Sequence, residues 1–174
     1  MPANCAHDWL SPDREASCLD DEEVVIRCER HPAASVRFAE RHATSGTSPQ
    51  LLFIVRASAP GLDARLEDVT NFVTGRELAR FLDGLDFRGW EGTRHWVNSD
   101  RDLRIGAVYE PGGHLRLTWT LRPWRHSVQG DWTATVSTWM EAGAAKDKLA
   151  ARLHQFLTAD GFPVDYHETY DAFS

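Results

Sequence analysis

One stretch in the second half of the chain, residues 115–121, constrains the fold more than any other. Leucines and a tryptophan alternate strictly there with an arginine and two threonines. This period of two residues is typical of a β-strand with one buried face and one solvated face. Such a strand belongs to an antiparallel sheet that is covered on one side only. The run therefore predicts an architecture, and it contains no nucleophile, acid–base pair or metal-binding cluster.

Other parts of the chain predict more strands and two helices. Strands are predicted over residues 24–28, 36–40, 51–55, 62–72, 94–99 with 103–109, 115–121 and 132–139. One helix is predicted after a capping box formed by Thr74 and Glu77, and the other over residues 144–159. Because short turns join neighbouring strands, we predict an α+β fold. It is a mainly antiparallel β-sheet of about six to seven strands with two α-helices covering one face.

The length of 174 residues allows one domain with a substantial core. Residues 1–21 hold prolines and acidic residues without an apolar period, which predicts a loosely ordered N-terminal arm. Residues 22–159 are predicted to be the single α+β domain. Residues 160–174 form an acidic, aromatic tail, and the sequence leaves open whether this tail packs back or frays.

Composition argues against several classes of function. The formal net charge of −7 disfavours non-specific binding to nucleic acid or to an anionic membrane. Arginine and tryptophan interleave between residues 88 and 125, but the alternation places Trp119 in the core, and Trp96 and Trp132 are also expected to contribute to it. No stretch is long and apolar enough for a membrane span or a signal peptide. The odd number of cysteines suits a reducing compartment, so we predict a cytoplasmic protein.

A zinc site is the first chemistry to consider, because two histidines and three cysteines lie near one another in the sequence. They are Cys5, His7, Cys18, Cys28 and His31. Their spacings match no common structural zinc site, in which pairs of closely spaced ligands lie on rigid turns. Cys28 also continues the apolar face of the first strand, where a small buried residue is expected. The sequence therefore predicts neither a metal nor a cofactor.

A second candidate lies at the hairpin turn before the central strand. His114 follows two glycines, Glu110 precedes the turn, and Arg116 lies on the polar face. A His–Glu dyad could act as a general base, but pairing across a hairpin is the commoner cause of such proximity. Paired acids such as Asp100 and Asp102 are interpreted as solvated loop residues. Glu110, His114 and Arg116 remain an alternative ligand or catalytic site.

Several longer motifs carry a family resemblance. They are Phe-Arg-Gly-Trp-Glu-Gly at 87–92, Asn-Ser-Asp-Arg-Asp-Leu at 98–103, Gly-Gly-His at 112–114, Leu-Thr-Trp-Thr-Leu-Arg-Pro-Trp at 117–124 and Trp-Met-Glu-Ala-Gly at 139–143. Over residues 22–158, this pattern resembles an uncharacterised actinobacterial family of unknown function. The resemblance implies no established activity.

The order of elements is more remotely similar to that of WapI-type immunity proteins, which neutralise contact-delivered toxins. The shared pattern includes Phe81 and Leu82 in a capped helix and a strand that begins with Gly113 and His114. This resemblance implies a mostly antiparallel sheet with helices, and no toxin-contacting residue can be carried over from it.

These observations together favour a non-enzymatic domain that binds another protein. The hypothesis includes an immunity-like role in which acidic residues attract a basic toxin domain. The candidate contact residues are Asp20, Asp21, Glu22, Glu23 and Trp124. Two alternatives remain: a small-molecule-binding domain or small enzyme that uses the sheet face near His114, and a single-stranded nucleic-acid binder that uses the arginine and tryptophan region.

Overall fold

A computed structural model describes residues 23–44, 50–70, 77–124 and 127–158. Its elements are β1 (Val24–Arg27), β2 (Ser35–Ala43), β3 (Leu51–Ala59), β4 (Leu62–Thr70), α1 (Glu77–Asp83), β5 (Thr93–Val97), β6 (Leu103–Glu110), β7 (His114–Leu121), β8 (Ala134–Glu141) and α2 (Ala144–Leu157). The predicted arm (1–21) and tail (160–174) lie outside the described residues. Among the described helices, none is long and apolar enough to cross a membrane.

The first sheet, sheet 1, contains β1 to β4 in chain order, and every neighbouring pair is antiparallel. The continuous apolar run at residues 51–55 becomes β3, an interior strand, as its composition predicts. Two irregularities interrupt the ladders, one between Ala39 and His42 and one between Phe53 and Val55. Glu40 and Asp68, which lie close to these irregularities, have positive φ angles of 53° and 54°.

The second sheet, sheet 2, contains β5 to β8, also in chain order and antiparallel. The predicted alternation of β7 is confirmed, since Leu115, Leu117, Trp119 and Leu121 are all fully buried. The indole Nε1 of Trp119 donates a hydrogen bond of 2.8 Å to Oγ1 of Thr138 on β8. A tryptophan with a polar atom can be fully buried here because that atom has a partner.

The apolar faces of both sheets and of both helices form one core. The ring of Phe38 on β2 lies 5.9 Å from that of Trp119 on β7, which joins the two sheets. Phe156 of α2 packs edge-on against Phe38 and Phe53 at 6.2 and 5.8 Å.

The two helices contact each other. At the end of each helix, a basic side chain from another element lies close to a backbone carbonyl. Lys146 Nζ lies 3.3 Å from the carbonyl oxygen of Asp83 in α1, and Arg41 donates to that of Phe156 in α2 at 2.7 Å.

The predicted α+β class with a dominant antiparallel sheet is confirmed, with one correction to its arrangement. The described residues form eight strands in two four-stranded sheets, where one sheet of six to seven strands was predicted. Local turn signals reveal which strands are consecutive, but they do not reveal that the connection from β4 to β5 leaves one sheet and starts another. The predicted stripe of α2 is buried, whereas Thr74 of the capping box lies outside the described residues.

Candidate functional site

The outward side of sheet 2 is the surface that carries the predicted site residues, and we call it the sheet 2 outer face. The register of the strands aligns the residues of this face in four rows that run from β5 to β8. From the β5–β6 turn toward the β6–β7 hairpin, the rows are Val97, Arg104, Thr120 and Thr135; His95, Gly106, Thr118 and Ser137; Thr93, Val108, Arg116 and Trp139; and finally Glu110, His114 and Glu141, without a β5 residue. Hydroxyl groups occupy its centre, where Thr118 Oγ1 and Ser137 Oγ lie 3.2 Å apart. Because successive side chains of a strand point to opposite sides of the sheet, the residues of this face are those that alternate with the buried ones.

Glu110 accepts several hydrogen bonds at one corner of this face. Its Oε1 accepts one from Arg116 Nε at 3.0 Å, and its Oε2 accepts one from Trp139 Nε1 at 2.9 Å. Arg30 NH1 forms an ion pair with the same Oε2 at 3.1 Å. Desolvation alone would raise the pKa of Glu110, but these hydrogen bonds and positive charges outweigh it and lower the pKa. Glu110 is therefore an ionised acceptor with both oxygens in use.

Trp139 is held by the same arginines. The guanidinium of Arg30 lies 5.2 Å from the indole centroid and that of Arg116 lies 5.9 Å from it. The imidazole of His31 approaches the same ring edge-on at 6.1 Å. We call Arg30, His31, Glu110, Arg116 and Trp139 the Trp139 cluster. Cation–π contacts and the bonds to Glu110 fix the orientation of this indole at the surface.

The loop after β1 brings Arg30 and His31 to this place. The backbone N–H of Glu29 donates to the carbonyl of Trp139 at 3.0 Å, and the Glu29 carboxylate accepts from the N–H of Glu141 at 3.2 Å. Sequence reasoning missed this part of the site, because a contact between a loop of one sheet and the edge of the other has no local signal. Trp139 itself could have been found, since it lies out of phase with the buried residues Val136 and Met140.

The structure brings Glu110 and Arg116 of the alternative site into contact and places His114 beside them. His114 faces Glu110 across the hairpin, as the cross-strand interpretation predicts, and it faces Glu141 on its other side. Gly112 and Gly113 have φ angles of 90° and 77°, which only glycine adopts without strain, and so they form the tight turn. Among the described residues, no hydrogen bond joins the His114 ring to Glu110. The geometry thus contains an Arg–Glu pair and no His–Glu dyad.

Of the predicted partner-binding residues, the structure describes only Glu23 and Trp124. Asp20, Asp21 and Glu22 lie outside the described residues, and their role stays a prediction. Glu23 is half-buried and paired with Arg37 Nε at 2.9 Å on sheet 1. Trp124 follows β7 and is 54% exposed, which agrees with its predicted accessibility.

The outward side of sheet 1, the sheet 1 outer face, has a different chemistry. Arg37, Arg56 and Arg65 surround an open depression near Ile54. Each of these arginines is paired with a carboxylate within this sheet or at its start. The Arg56 pair lowers the pKa of Asp63, chiefly through the hydrogen bond between the two side chains. This face therefore has little unpaired charge to offer a ligand.

The turn between β5 and β6 contains an aspartate that was predicted to be solvated and is not. Asp102 is buried, although it was interpreted as solvated, and its carboxylate accepts a hydrogen bond from Asn98 Nδ2 at 2.5 Å. Desolvation, assisted by the nearby charge of Asp100, raises the pKa of Asp102 to about 6 despite that hydrogen bond. Asp100 in turn accepts a hydrogen bond from Thr70 Oγ1. Asn98 Oδ1 accepts from the N–H groups of Asp102 and Leu103, so the Asn98 side chain organises the turn.

The candidate zinc ligands are only partly described. Cys5, His7 and Cys18 lie outside the described residues. Cys28 is buried, as its place on the apolar face predicts, and its Sγ accepts from the backbone N–H of His31 at 3.3 Å. In the part of the chain that the structure describes, no group of three or more His, Cys, Asp or Glu side chains could hold a metal ion.

The fold defines an α+β domain built from two four-stranded antiparallel sheets and a pair of helices. The chain belongs to a family of unknown function, DUF6228, whose model matches residues 27–160. This match covers most of the stretch over which the family resemblance was found in the sequence. No curated protein and no solved structure matches the chain.

Proposed function

We propose that this protein is a non-enzymatic binding domain and that its sheet 2 outer face contacts another protein. The Trp139 cluster carries the proposal. Tryptophan and arginine are the residues most enriched among those that dominate binding energy at protein interfaces. Trp139 is half-buried and two guanidiniums stack on its ring, so its orientation is fixed before a partner arrives. Such preorganisation lowers the entropy cost of association.

The centre of the same face also suits a protein partner. Thr118, Thr120 and Ser137 are half-buried and have short side chains, which lose little conformational entropy when they are covered. Their hydroxyls can donate or accept, so they adapt to the polar groups of a partner. A small-molecule site at Glu110, His114 and Arg116 has less support, because both oxygens of Glu110 already accept hydrogen bonds.

The finer proposal is an immunity-like role against a basic toxin domain. It is supported by the remote similarity to WapI-type immunity proteins and by the charge of the chain. Sixteen acidic and sixteen Lys or Arg residues lie among the described residues. The net charge of −7 therefore comes from the rest of the sequence, chiefly residues 1–22 and 159–174. Asp20, Asp21 and Glu22 belong to this acidic portion, so we propose that it steers a basic partner toward the domain.

The test begins with the genes beside the one that encodes this chain. If a neighbour encodes a large secreted toxin, its purified C-terminal domain is titrated into the full-length protein by calorimetry. We expect Ser137→Arg, at the centre of the sheet 2 outer face, to weaken binding by about tenfold or more. Ser58→Arg, at a half-buried serine of sheet 1, is the matched control and should bind like the parent.

The dependence of the affinity on salt concentration distinguishes the general proposal of a protein-binding face from the finer proposal that acidic segments steer a basic partner. Affinity that falls with ionic strength supports the role of the acidic segments, and affinity unchanged by salt removes it. Equal losses for Ser137→Arg and Ser58→Arg would contradict the assignment of the binding face.

A further inference from the structure

Three of the four edges of the two sheets receive hydrogen bonds from other parts of the chain, and on β1 this contact lies at Glu23, the residue that precedes the strand. On β4, the amide of Gln129 accepts from the N–H of Glu67 at 2.9 Å and donates to its carbonyl at 3.1 Å, as a neighbouring strand would. On β8, Glu29 occupies the edge through the two bonds described above. At the start of β1, Arg152 donates to the carbonyl of Glu23 at 2.8 Å. Unpaired edges invite pairing with other chains, and these contacts are the means by which folded proteins prevent it.

The fourth edge, β5, has no such cover among the described residues. It pairs with β6 on one side only, and four of its five side chains are exposed. Val97 is an exposed apolar residue at 43%, while Trp96 is half-buried and anchors the strand to the core. The strand contains no proline, and its ladder with β6 runs without a register shift. Within the described part of the chain, no hydrogen bond from another segment reaches the outer N–H and C=O groups of β5, and such groups can pair with a further strand.

A charged side chain can itself block an edge, and Arg94 is the residue of β5 that could do so. Its NH1 donates to the carbonyl of Gly84 at 2.8 Å, and its guanidinium stacks 4.8 Å from the ring centroid of Trp90. Both contacts direct Arg94 toward the segment that follows α1, away from the outer face where His95 lies. Arg94 is thus held by Gly84 and Trp90 and does not cover the edge.

The charge of this edge indicates what it would accept. Among the paired residues of β5 and β6, Arg94 and Arg104 are cationic, and none is a carboxylate. Opposite charges on neighbouring strands stabilise pairing, and like charges destabilise it. A second copy of β5 would bring a second Arg94 to the same edge and would supply no carboxylate. An extended segment with acidic side chains fits better.

We propose that β5 is a strand-addition site for an extended acidic segment of another protein, which would become the fifth strand of sheet 2. Main-chain hydrogen bonds along Thr93–Val97 would supply affinity, and the row of Thr93, His95 and Val97 would supply selectivity. This inference deepens the proposed function, because it names how part of the partner is held. The positive charge of Arg94 and Arg104 at this edge is opposite in sign to the net charge of −7 of the whole chain.

The experiment uses the full-length protein and blocked seven-residue peptides that alternate valine with glutamate or with lysine. Amide hydrogen exchange and backbone chemical shifts are followed by NMR. In the free protein, outward amides of β5 should exchange quickly. The glutamate peptide should slow them and should bind about fivefold or more tightly than the lysine peptide.

Variants test whether β5 itself sets the preference. His95→Glu places a negative charge on an exposed side chain of β5 and should invert the ranking of the two peptides. Thr135→Glu makes an equally exposed change on β8 of the same face and should leave the ranking unchanged. The proposal is overturned if neither peptide binds, if the ranking survives His95→Glu, or if β5 amides are already protected in the free chain. Concentration-dependent protection would identify a second copy as the occupant and overturn it equally.

Because the peptides need no toxin, this result is independent of the partner titration. Failure of strand addition with an intact effect of Ser137→Arg would remove this inference and leave the proposed function in place.

Discussion

The outer faces of the two sheets differ, although both inner faces contribute to the same core. On sheet 1, exposed arginines are paired with carboxylates, as in Arg56 with Asp63 and Arg65 with Glu67. On sheet 2, hydroxyl side chains fill the centre, and Trp139 on the edge strand β8 has two arginines stacked on its ring. Folding requires only that one side of each sheet be apolar. The difference between the outer sides is therefore where function can be sought.

The largest expected effect tests whether the two inner faces are equivalent. Phe38 of sheet 1 and Trp119 of sheet 2 are both fully buried and touch each other. Replacing either with alanine removes a large buried ring and leaves a cavity, so each should lower the free energy of unfolding by about 3–5 kcal/mol. Urea denaturation measures this. A loss below about 1 kcal/mol for one of them would mean that its sheet contributes little to the shared core.

The second prediction compares one carboxylate from each sheet. Asp102 in the β5–β6 turn is buried, and its pKa is raised to about 6. Between about pH 4 and 6 the folded state then holds a proton that the unfolded state has lost, so the free energy of unfolding falls as pH rises. Asp102→Asn removes this penalty while its amide oxygen can still accept from Asn98. We expect this variant to be about 2–3 kcal/mol more stable than the parent at pH 7 and similar to it at pH 4.

Asp63→Asn is the control for this pH dependence. The hydrogen bond from Arg56 lowers the pKa of Asp63, so its contribution has the opposite sign, present above the pKa of the unfolded state and lost as pH falls. Thermal unfolding at a series of pH values measures both variants. Stabilisation by Asp102→Asn that is constant across the pH range would contradict the ionisation argument.

The sequence predicts the burial of side chains better than it predicts their assembly. Alternation suffices to bury Trp119, and the spacing of leucines suffices to bury one side of α2, because these periods are local properties of strands and helices. The division into two sheets is not local, and neither is the contact of Arg30 with Trp139. Glu110 and Arg116 could be found because a hairpin brings them together. Asp102 was misjudged because its burial depends on packing beyond its turn.

A hydrogen bond inside sheet 2 gives a smaller and more specific effect. Thr138 is the buried acceptor for the indole N–H of Trp119. Thr138→Val keeps the shape and leaves that N–H buried without a partner, which should cost about 1–3 kcal/mol. Thr135→Val removes an exposed hydroxyl from the same strand and should change the free energy of unfolding by less than about 0.5 kcal/mol. Equal losses for the two variants would show that the loss of a hydroxyl from β8, whichever face it lies on, accounts for the change.

The smallest expected change in the free energy of unfolding concerns one arginine from each outer face. Arg65 is paired with Glu40 and Glu67 on sheet 1, and all three side chains are largely exposed, so Arg65→Gln should cost less than about 1 kcal/mol. Arg116→Gln should be similarly mild, because Arg30 continues to pair with Glu110.

The two variants should differ in the Trp139 indole N–H resonance. Arg116→Gln removes both a hydrogen bond to Glu110 and a cation stacked on the ring, so it should shift that signal and speed its exchange with water. Arg65→Gln should leave the signal unchanged. An indole signal that is unmoved by Arg116→Gln would show that Arg30 and Glu110 hold Trp139 without Arg116, and the role of Arg116 in its preorganisation would then be wrong.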